Sequence, residues 1–250
     1  MIHKAASLLR NSKHVVALTG AGISTPSGIP DFRSPGSGLW EQFDPMQVAS
    51  LSAFRYNPEQ FYAWIHPLAN LVFNAAPNPA HLALARLEAR GFLVGIVTQN
   101  IDNLHQRAGS KQVLELHGHL REATCVSCFT VFSTTGMLKA FVESGDVPRC
   151  TKCQGILKPK AVLFGEQLPY DVVQSAKELF TNCDLIFVVG SSLEVVPAAT
   201  LPIPSLNAGS QLIVVNNTPT FLDSRADLVF HDDVALVLPR IADEVIGETR

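Results

Sequence analysis

The sequence predicts an α/β fold, a sheet of parallel strands covered by helices on both faces, with a smaller lobe inserted into it. Three observations predict this. Short apolar runs alternate with helix-length amphipathic stretches along most of the 250 residues. Several runs are apolar at every position, as when both faces of a parallel sheet are covered. Two stretches break the alternation, and they supply the smaller lobe.

The runs are "VVALTG" (15–20), "FLVGIVT" (92–98), "VLELHG" (113–118), "AVLFGE" (161–166), "DLIFVVG" (184–190), "QLIVVN" (211–216) and "DLVFHD" (227–232). Each reads as a strand, and the spacers read as crossover helices, the pattern of a doubly wound domain. One helix is fully marked: Asn78 as N-cap, Pro79 at the first helical position and Gly91 as the stop. The interruptions are residues 40–76, aromatic-rich and helical, and residues 120–160, which hold four of the five cysteines. The expected division is one domain over 1–250, with a sheet-bearing part at 1–39, 77–119 and 161–250. The small lobe takes a helical piece at 40–76 and a cysteine-bearing piece at 120–160.

Composition excludes several classes. With 47% hydrophobic residues, 16% charged residues and a net charge of −3, the chain reads as an ordinary globular protein. Lys and Arg are scattered, so no direct nucleic-acid binding is expected. No run is long enough to span a bilayer and the N-terminus holds no long apolar segment, so a cytoplasmic protein without membrane attachment is expected.

Cys125, Cys128, Cys150 and Cys153 form Cys-x2-Cys-x21-Cys-x2-Cys. Two such knuckles offer four thiolates to one tetrahedral zinc with no open position, a structural rather than catalytic site. A thioredoxin-like redox role for either pair is the minor alternative. Cys183 reads as a buried free thiol.

Polar residues cluster where strands end. "GAGISTPSGIPDFR" (20–33) begins with a Gly-x-Gly turn, where a helix N-terminus would offer N–H groups to a pyrophosphate. The fingerprint lacks the third glycine of a full dinucleotide motif. "TQNID" (98–102) places a carboxamide, a second carboxamide and a carboxylate after a buried strand; a helix cap accounts for one of them, not three. His117, after "VLEL", is a candidate general base because imidazole titrates near neutrality, with His119 its rival. "GSSLEVVP" (190–197) and "VNN" (215–217) repeat the arrangement. Five such ends around one sheet make a binding crevice.

Taken in order, "GAGIS", "GIPDFR", "TQNID", "HG", the two cysteine pairs, "KPKAVLFGE", "GSSLEVVP" and "VNN" resemble the sirtuin family of NAD-dependent protein deacylases, as a compact microbial member. The resemblance implies a Rossmann-type NAD domain with a lobe made of a zinc ribbon and a helical insertion. It implies NAD as co-substrate, one structural zinc ion, and acetylated-lysine proteins or peptides as partners, with the enzyme a monomer. His117, Asn100 and Asp102 would be catalytic. Gly20, Ala21, Gly22, Thr25, Asp31, Phe32 and Arg33 would cover the pyrophosphate and reactive ribose. Gln99, Asn100, Ile101, Asp102 and His117 would line the nicotinamide side. Ser191, Ser192, Asn216 and Asn217 would hold the adenosine half, and Gly190, Asp233 and Val234 would be further cofactor contacts. Val162, Phe164, Gly165 and Glu166 on one side, and Leu193, Glu194 and Val195 on the other, would sandwich the substrate as an added strand.

The implied reaction moves the acetyl group of acetyl-lysine to ADP-ribose, releasing nicotinamide and free lysine. His117 would act as base through the ribose hydroxyls. Relatives that prefer succinyl or malonyl groups carry a Tyr and an Arg three residues apart in the helical insertion. Between Glu41 and Phe54 this chain has neither, and Arg55 and Tyr56 are adjacent and reversed. The expected preference is therefore for acetyl and other uncharged acyl groups. Ala161 stands where the family often has a branched aliphatic residue. Alternatives are mono-ADP-ribosyl transfer, a non-catalytic NAD sensor, and a dehydrogenase, the last weakened by the missing glycine.

Overall fold

The computed structural model describes residues 1–32 and 38–247. Six strands form a parallel sheet: β1 (Val15–Thr19), β2 (Gly95–Thr98), β3 (Val113–Glu115), β7 (Leu185–Val189), β8 (Gln211–Val215) and β9 (Leu228–Phe230). Their order is β3-β2-β1-β7-β8-β9. The strand order therefore reverses between β1 and β7, the position where ligands bind in open α/β sheets. β1 and β7 are buried at every residue, which is why both read as unbroken apolar runs.

Helices cover both faces. α1 (Ile2–Asn11), α5 (Pro79–Ala89) and α10 (Val234–Gly247) pack on one core, through Ala5, Leu9, Leu84, Leu87, Leu238 and Ile241. α8 (Tyr170–Thr181) and α9 (Ile203–Asn207) close the other, through Ala176, Phe180 and Leu206. The caps of α5 are as the sequence predicts: the Asn78 side chain accepts the Ala80 N–H, Pro79 is the first helical residue, and Gly91 has φ +78°. His81 completes a reciprocal capping pair with the Asn78 N–H.

The small lobe combines two insertions. α2 (Pro45–Val48), α3 (Leu51–Tyr56) and α4 (Pro58–Asn74) come from the aromatic-rich stretch. The second insertion supplies an antiparallel sheet, β5 (Val131–Ser133), β4 (Gly118–Cys125) and β6 (Leu157–Ala161), in the order β5-β4-β6, together with α7 (Thr135–Ser144). Phe141 of α7 packs edge-on against Tyr62 of α4, and both share a core with Phe54, Phe61 and Ala69. The short helix α6 (Leu104–Arg107) follows β2.

Two strand expectations are corrected. "AVLFGE" is not a strand of the main sheet: only Ala161 is extended in a ladder, and it ends β6 of the small sheet. Beyond it, the one β-bridge is the isolated pair of Ser50 with Phe164. The apolar character that suggested a strand comes from lining a cavity. "VLELHG" ends as a strand at Glu115, so His117 lies in the turn into β4.

The four ribbon cysteines converge. Their sulfurs all lie within 4.8 Å of one another. Cys125 and Cys153 Sγ are 3.4 Å apart, and Cys128 and Cys150 Sγ are 3.6 Å apart. A tetrahedron of sulfurs about 2.3 Å from one zinc has edges of about 3.8 Å, so the donor set fits a single closed zinc site. Metal analysis should return one zinc per chain. Cys150→Ser should lower zinc content and cut the melting temperature by at least about 5 °C; zinc-free protein with an unchanged melt would refute the structural role.

Candidate active site

The carboxyl ends of β3, β2, β1, β7 and β8 border one cavity of about 1020 Å³. It runs from the sheet into the gap between the two lobes. Its rim at the sheet holds Gly20, Gln99, Asn100, Asp102, His117, Ser191 and Asn216.

At the centre, two backbones touch. The Gly22 N–H donates to Gly190 O at 2.8 Å. A Cβ on Gly20 or Gly22 would sit 2.9 Å from that oxygen, and one on Gly190, whose φ is +59°, would meet Ile23 N at 2.2 Å. These glycines are required by the contact between the β1 and β7 loops. The expected helix N-terminus is corrected here: the turn opens into two 3-10 turns, Ala21–Ile23 and Thr25–Ser27, and the Gly22 N–H is already engaged.

His117 Nδ1 lies 2.9 Å from Gln99 O. A carbonyl only accepts, so Nδ1 carries the proton and Nε2 is the basic nitrogen. The rival His119 does not line the cavity, and its burial lowers its proton affinity.

Asn100 and Asp102 are 8% exposed. The Asn100 amide donates to Gly20 O and Ser24 Oγ, both at 3.1 Å. Ser24 Oγ donates to Asp102 Oδ2 at 2.6 Å, and Asp102 Oδ1 accepts the Leu104 N–H at 2.9 Å. Burial raises the proton affinity of Asp102, against the Ser24 and Leu104 hydrogen bonds, which lower it.

Behind these residues lies a polar layer that sequence reasoning missed. His105 Nε2 meets Thr19 Oγ1 at 2.9 Å, and Thr19 donates to Thr98 Oγ1, which also accepts the Asn100 N–H. His81 Nε2 faces Ser24 Oγ at 3.5 Å, and the two imidazoles stack edge-to-face at 4.9 Å. Burial pushes His81 down to about 4 and His105 to about 3, the latter assisted by His81. Both stay neutral at physiological pH. Nothing in the spacing of His81 and His105 announces the pair; only the fold joins α5 to α6.

Ala21, Ile101, Asp31 and Phe32 line the cavity, as do Ser192, Val162, Phe164, Gly165, Glu166, Glu194 and Val195. Thr25, Leu193, Asn217, Asp233 and Val234 do not. The Thr25 hydroxyl donates to Gly22 O. Leu193, at φ +59°, is 3% exposed within the core beside β7. Val234 lies in the opposite core, and Asp233 caps α10 by accepting the Ala235 N–H. Arg33 lies outside the described residues. The lobe side of the cavity was also missed: Trp64, Ile65, Leu68, Ala69 and Val72 form a stripe on α4 that faces the cavity. Their 3–4 spacing in "WIHPLANLV" was the available signal.

A doubly wound α/β sheet with a nucleotide-sized crevice at its switch point, joined to a four-cysteine ribbon, defines a dinucleotide-binding protein with a zinc-bearing lobe. The Sir2 family model matches residues 20–197, and the chain belongs to that family. It is similar to NAD-dependent protein deacylase 2 of Archaeoglobus fulgidus, 46% identical with 98% of this chain and 96% of the relative covered. A Thermotoga maritima NAD-dependent protein deacetylase is 43% identical, with 95% of each covered. A solved complex described as Sir2–p53 peptide–NAD+ matches with a TM-score of 0.89 and 41% identity, covering 100% of both chains.

The buried histidines give a pH dependence. Unfolded imidazole has a pKa of about 6.5, whereas His81 and His105 in the fold titrate at about 4 and about 3. Their contribution to stability is complete above about pH 6.5 and is lost as pH falls toward 4, by up to about 1.4 kcal/mol per pH unit for each. Asp102, raised by burial, acts with the opposite sign. His105→Gln should roughly halve the histidine part of the slope of unfolding free energy between pH 6.5 and 4.5. An unaltered slope in denaturant titrations would refute this assignment.

Proposed function

We propose that the protein is an NAD-dependent protein-lysine deacetylase that transfers the acetyl group of acetyl-lysine to ADP-ribose with release of nicotinamide. The observation that carries the reading is His117, its basic Nε2 set by the Gln99 carbonyl, at the border of one cavity with Asn100 and Asp102. The names of the relatives above support the same activity, and a further Sir2 structure, with deacetylated p53 peptide and 3'-O-acetyl ADP-ribose, matches at 42% identity.

The cavity suits both reactants. Its volume is at the upper end for a single small ligand, leaving room for two. NAD, when bound, supplies the ribose carbon that accepts the acyl oxygen, and nicotinamide is its leaving group. Gly20–Gly22, Asp31 and Phe32 would border the pyrophosphate and ribose, and Ser191, Ser192 and Asn216 the adenosine half. Asn100 would present its amide carbonyl to the ribose side, because its N–H groups are engaged by Gly20 and Ser24. His117 Nε2 would take the proton from a ribose hydroxyl. Gly165 and the Ser192–Val195 segment would hold the substrate backbone as an added strand. Residues 1–39, 77–119 and 161–250 would form the NAD part, and 40–76 with 120–160 the small lobe. No helix among the described residues is long and apolar enough to cross a membrane. By the family resemblance the protein would act as a cytoplasmic monomer.

A second reading, deacylation of longer uncharged groups, is favoured by the apolar α4 stripe, which lines the cavity together with Leu39, Phe164 and Trp40, the last stacked on Trp64. Structures of Sir2 proteins with a myristoylated histone peptide and a propionylated peptide both match this chain at 40% identity. Arg55 and Tyr56 are exposed and outside the cavity, so they offer no anchor for a succinyl carboxylate.

Mass spectrometry of an acetyl-lysine peptide with the protein should show loss of acetyl and formation of O-acetyl-ADP-ribose only with NAD. His117→Ala should lower kcat by about 100-fold or more. Nicotinamide release with the peptide intact would instead favour ADP-ribosyl transfer. In a matched panel, succinyl-lysine should be turned over more slowly than acetyl- or myristoyl-lysine; faster turnover of succinyl-lysine would overturn the acyl assignment.

A further inference from the structure

In the segment 162–166, between β6 and the cavity, every backbone N–H but that of Gly165 is engaged. The Val162 N–H donates to His117 O at 2.8 Å and the Phe164 N–H to Ala49 O at 3.0 Å. Phe164 O accepts the Leu51 N–H at 2.9 Å, and the Glu166 N–H returns to Leu163 O at 3.0 Å. The Leu163 N–H goes to a side chain, Glu166 Oε2, at 2.8 Å. Gly165 is the one residue of the segment whose N–H and C=O both lack a partner among the described residues, and it lines the cavity; the Val162 and Glu166 carbonyls are unpartnered there as well.

Lys158 on β6 stabilises this arrangement from beneath. Its Nζ lies 2.9 Å from Glu166 Oε2, 3.0 Å from Ala161 O and 3.2 Å from Pro159 O, three acceptors for the three ammonium hydrogens. The Lys158 and Glu166 side chains are only 18% and 22% exposed, so solvent screens the pair weakly. Lys158 itself is outside the cavity lining. Without the ammonium, the Glu166 carboxylate gains by turning to water and releases the Leu163 N–H. The turn that presents Gly165 then loosens.

We propose that Lys158 is a positioning residue for the acyl-lysine substrate: by fixing Glu166 against the Leu163 N–H, it keeps the free N–H and C=O of Gly165 facing the cleft, where they pair with the substrate backbone. This rests on the deacetylase reading. Lys158 touches neither reactant. Its effect is confined to ordering one edge of the added strand, and an unordered edge costs binding energy on association.

The test compares wild type, Lys158→Met, Lys158→Arg, Glu166→Gln and the Lys158→Met/Glu166→Gln double variant. The readouts are steady-state kinetics with an acetyl-lysine peptide and NAD, and anisotropy of a fluorescein-labelled acetyl-lysine peptide. Lys158→Met should raise peptide KM and Kd about tenfold, with kcat and the KM for NAD unchanged. Lys158→Arg, which keeps the charge, should recover most of the loss. Glu166→Gln should raise peptide KM in the same direction, and the double variant should be no worse than the poorer single one. A fall in kcat at constant peptide KM, or an unchanged KM and Kd, would overturn the proposal. Should Lys158→Met fail to fold, Glu166→Gln carries the test through the same readouts. Wild type inert toward acetyl-lysine peptides would overturn the functional reading and this proposal together. An active wild type with an indifferent Lys158→Met removes only the role of Lys158.

Discussion

The structure turns on one backbone contact, the approach of the Gly20–Gly22 turn to Gly190 at the point where strand order reverses. Side chains there would force the β1 and β7 loops apart, since a Cβ on any of the three meets backbone at 3 Å or less. Held together, the loops leave one crevice across neighbouring strand ends rather than two separate turns. Asn100 adds to the junction by donating to Gly20 O, and Gln99 by donating to Ser191 Oγ at 2.9 Å. Residues that line the cavity therefore also brace the loops that form it.

A rigid site has a thermodynamic cost, visible in the polar layer beneath it. Thr19, Thr98, Ser24, Asn100, Asp102, His81 and His105 are all buried. Burying such groups is unfavourable unless each finds partners. Most do, in a chain from the α5 cap through Ser24 to Asp102. His105 Nδ1 has no partner among the described residues. Neutral imidazoles are suited to this layer because one nitrogen donates while the other accepts, so the hydrogen-bond directions set the tautomer.

The small lobe supplies the other wall. Neither insertion is self-sufficient: the helical piece contributes Phe61 and Tyr62, the ribbon piece contributes Phe141, and the Tyr62 hydroxyl donates to Leu157 O of β6. The four cysteines converge in the ribbon as a closed set of four donors. α4 contributes Phe61, Tyr62 and Ala69 to this shared core, with Trp64 and Ile65 packed against it, and Trp64, Ile65, Leu68, Ala69 and Val72 also line the cleft.

The parallel strands were legible because burial on both faces leaves an apolar run, and the caps of α5 because Asn78, Pro79 and Gly91 each have a local physical role. The cysteine pairs were legible because their spacing follows from the geometry of a metal knuckle. "AVLFGE" misled because lining a cavity selects the same apolar residues as lining a sheet, and composition carries no direction. Asp233, Val234 and Leu193 followed family position rather than any local signal, and here they cap a helix or fill the core. The sequence by itself determined the buried parallel strands, the caps of α5 and the zinc knuckles, since these depend on neighbours a few residues apart. Only the tertiary structure decided that His81 meets His105, that Lys158 holds Glu166, and that α4 faces the cleft. Those contacts join segments that approach one another only after the chain has closed its loops, so no local spacing encodes them.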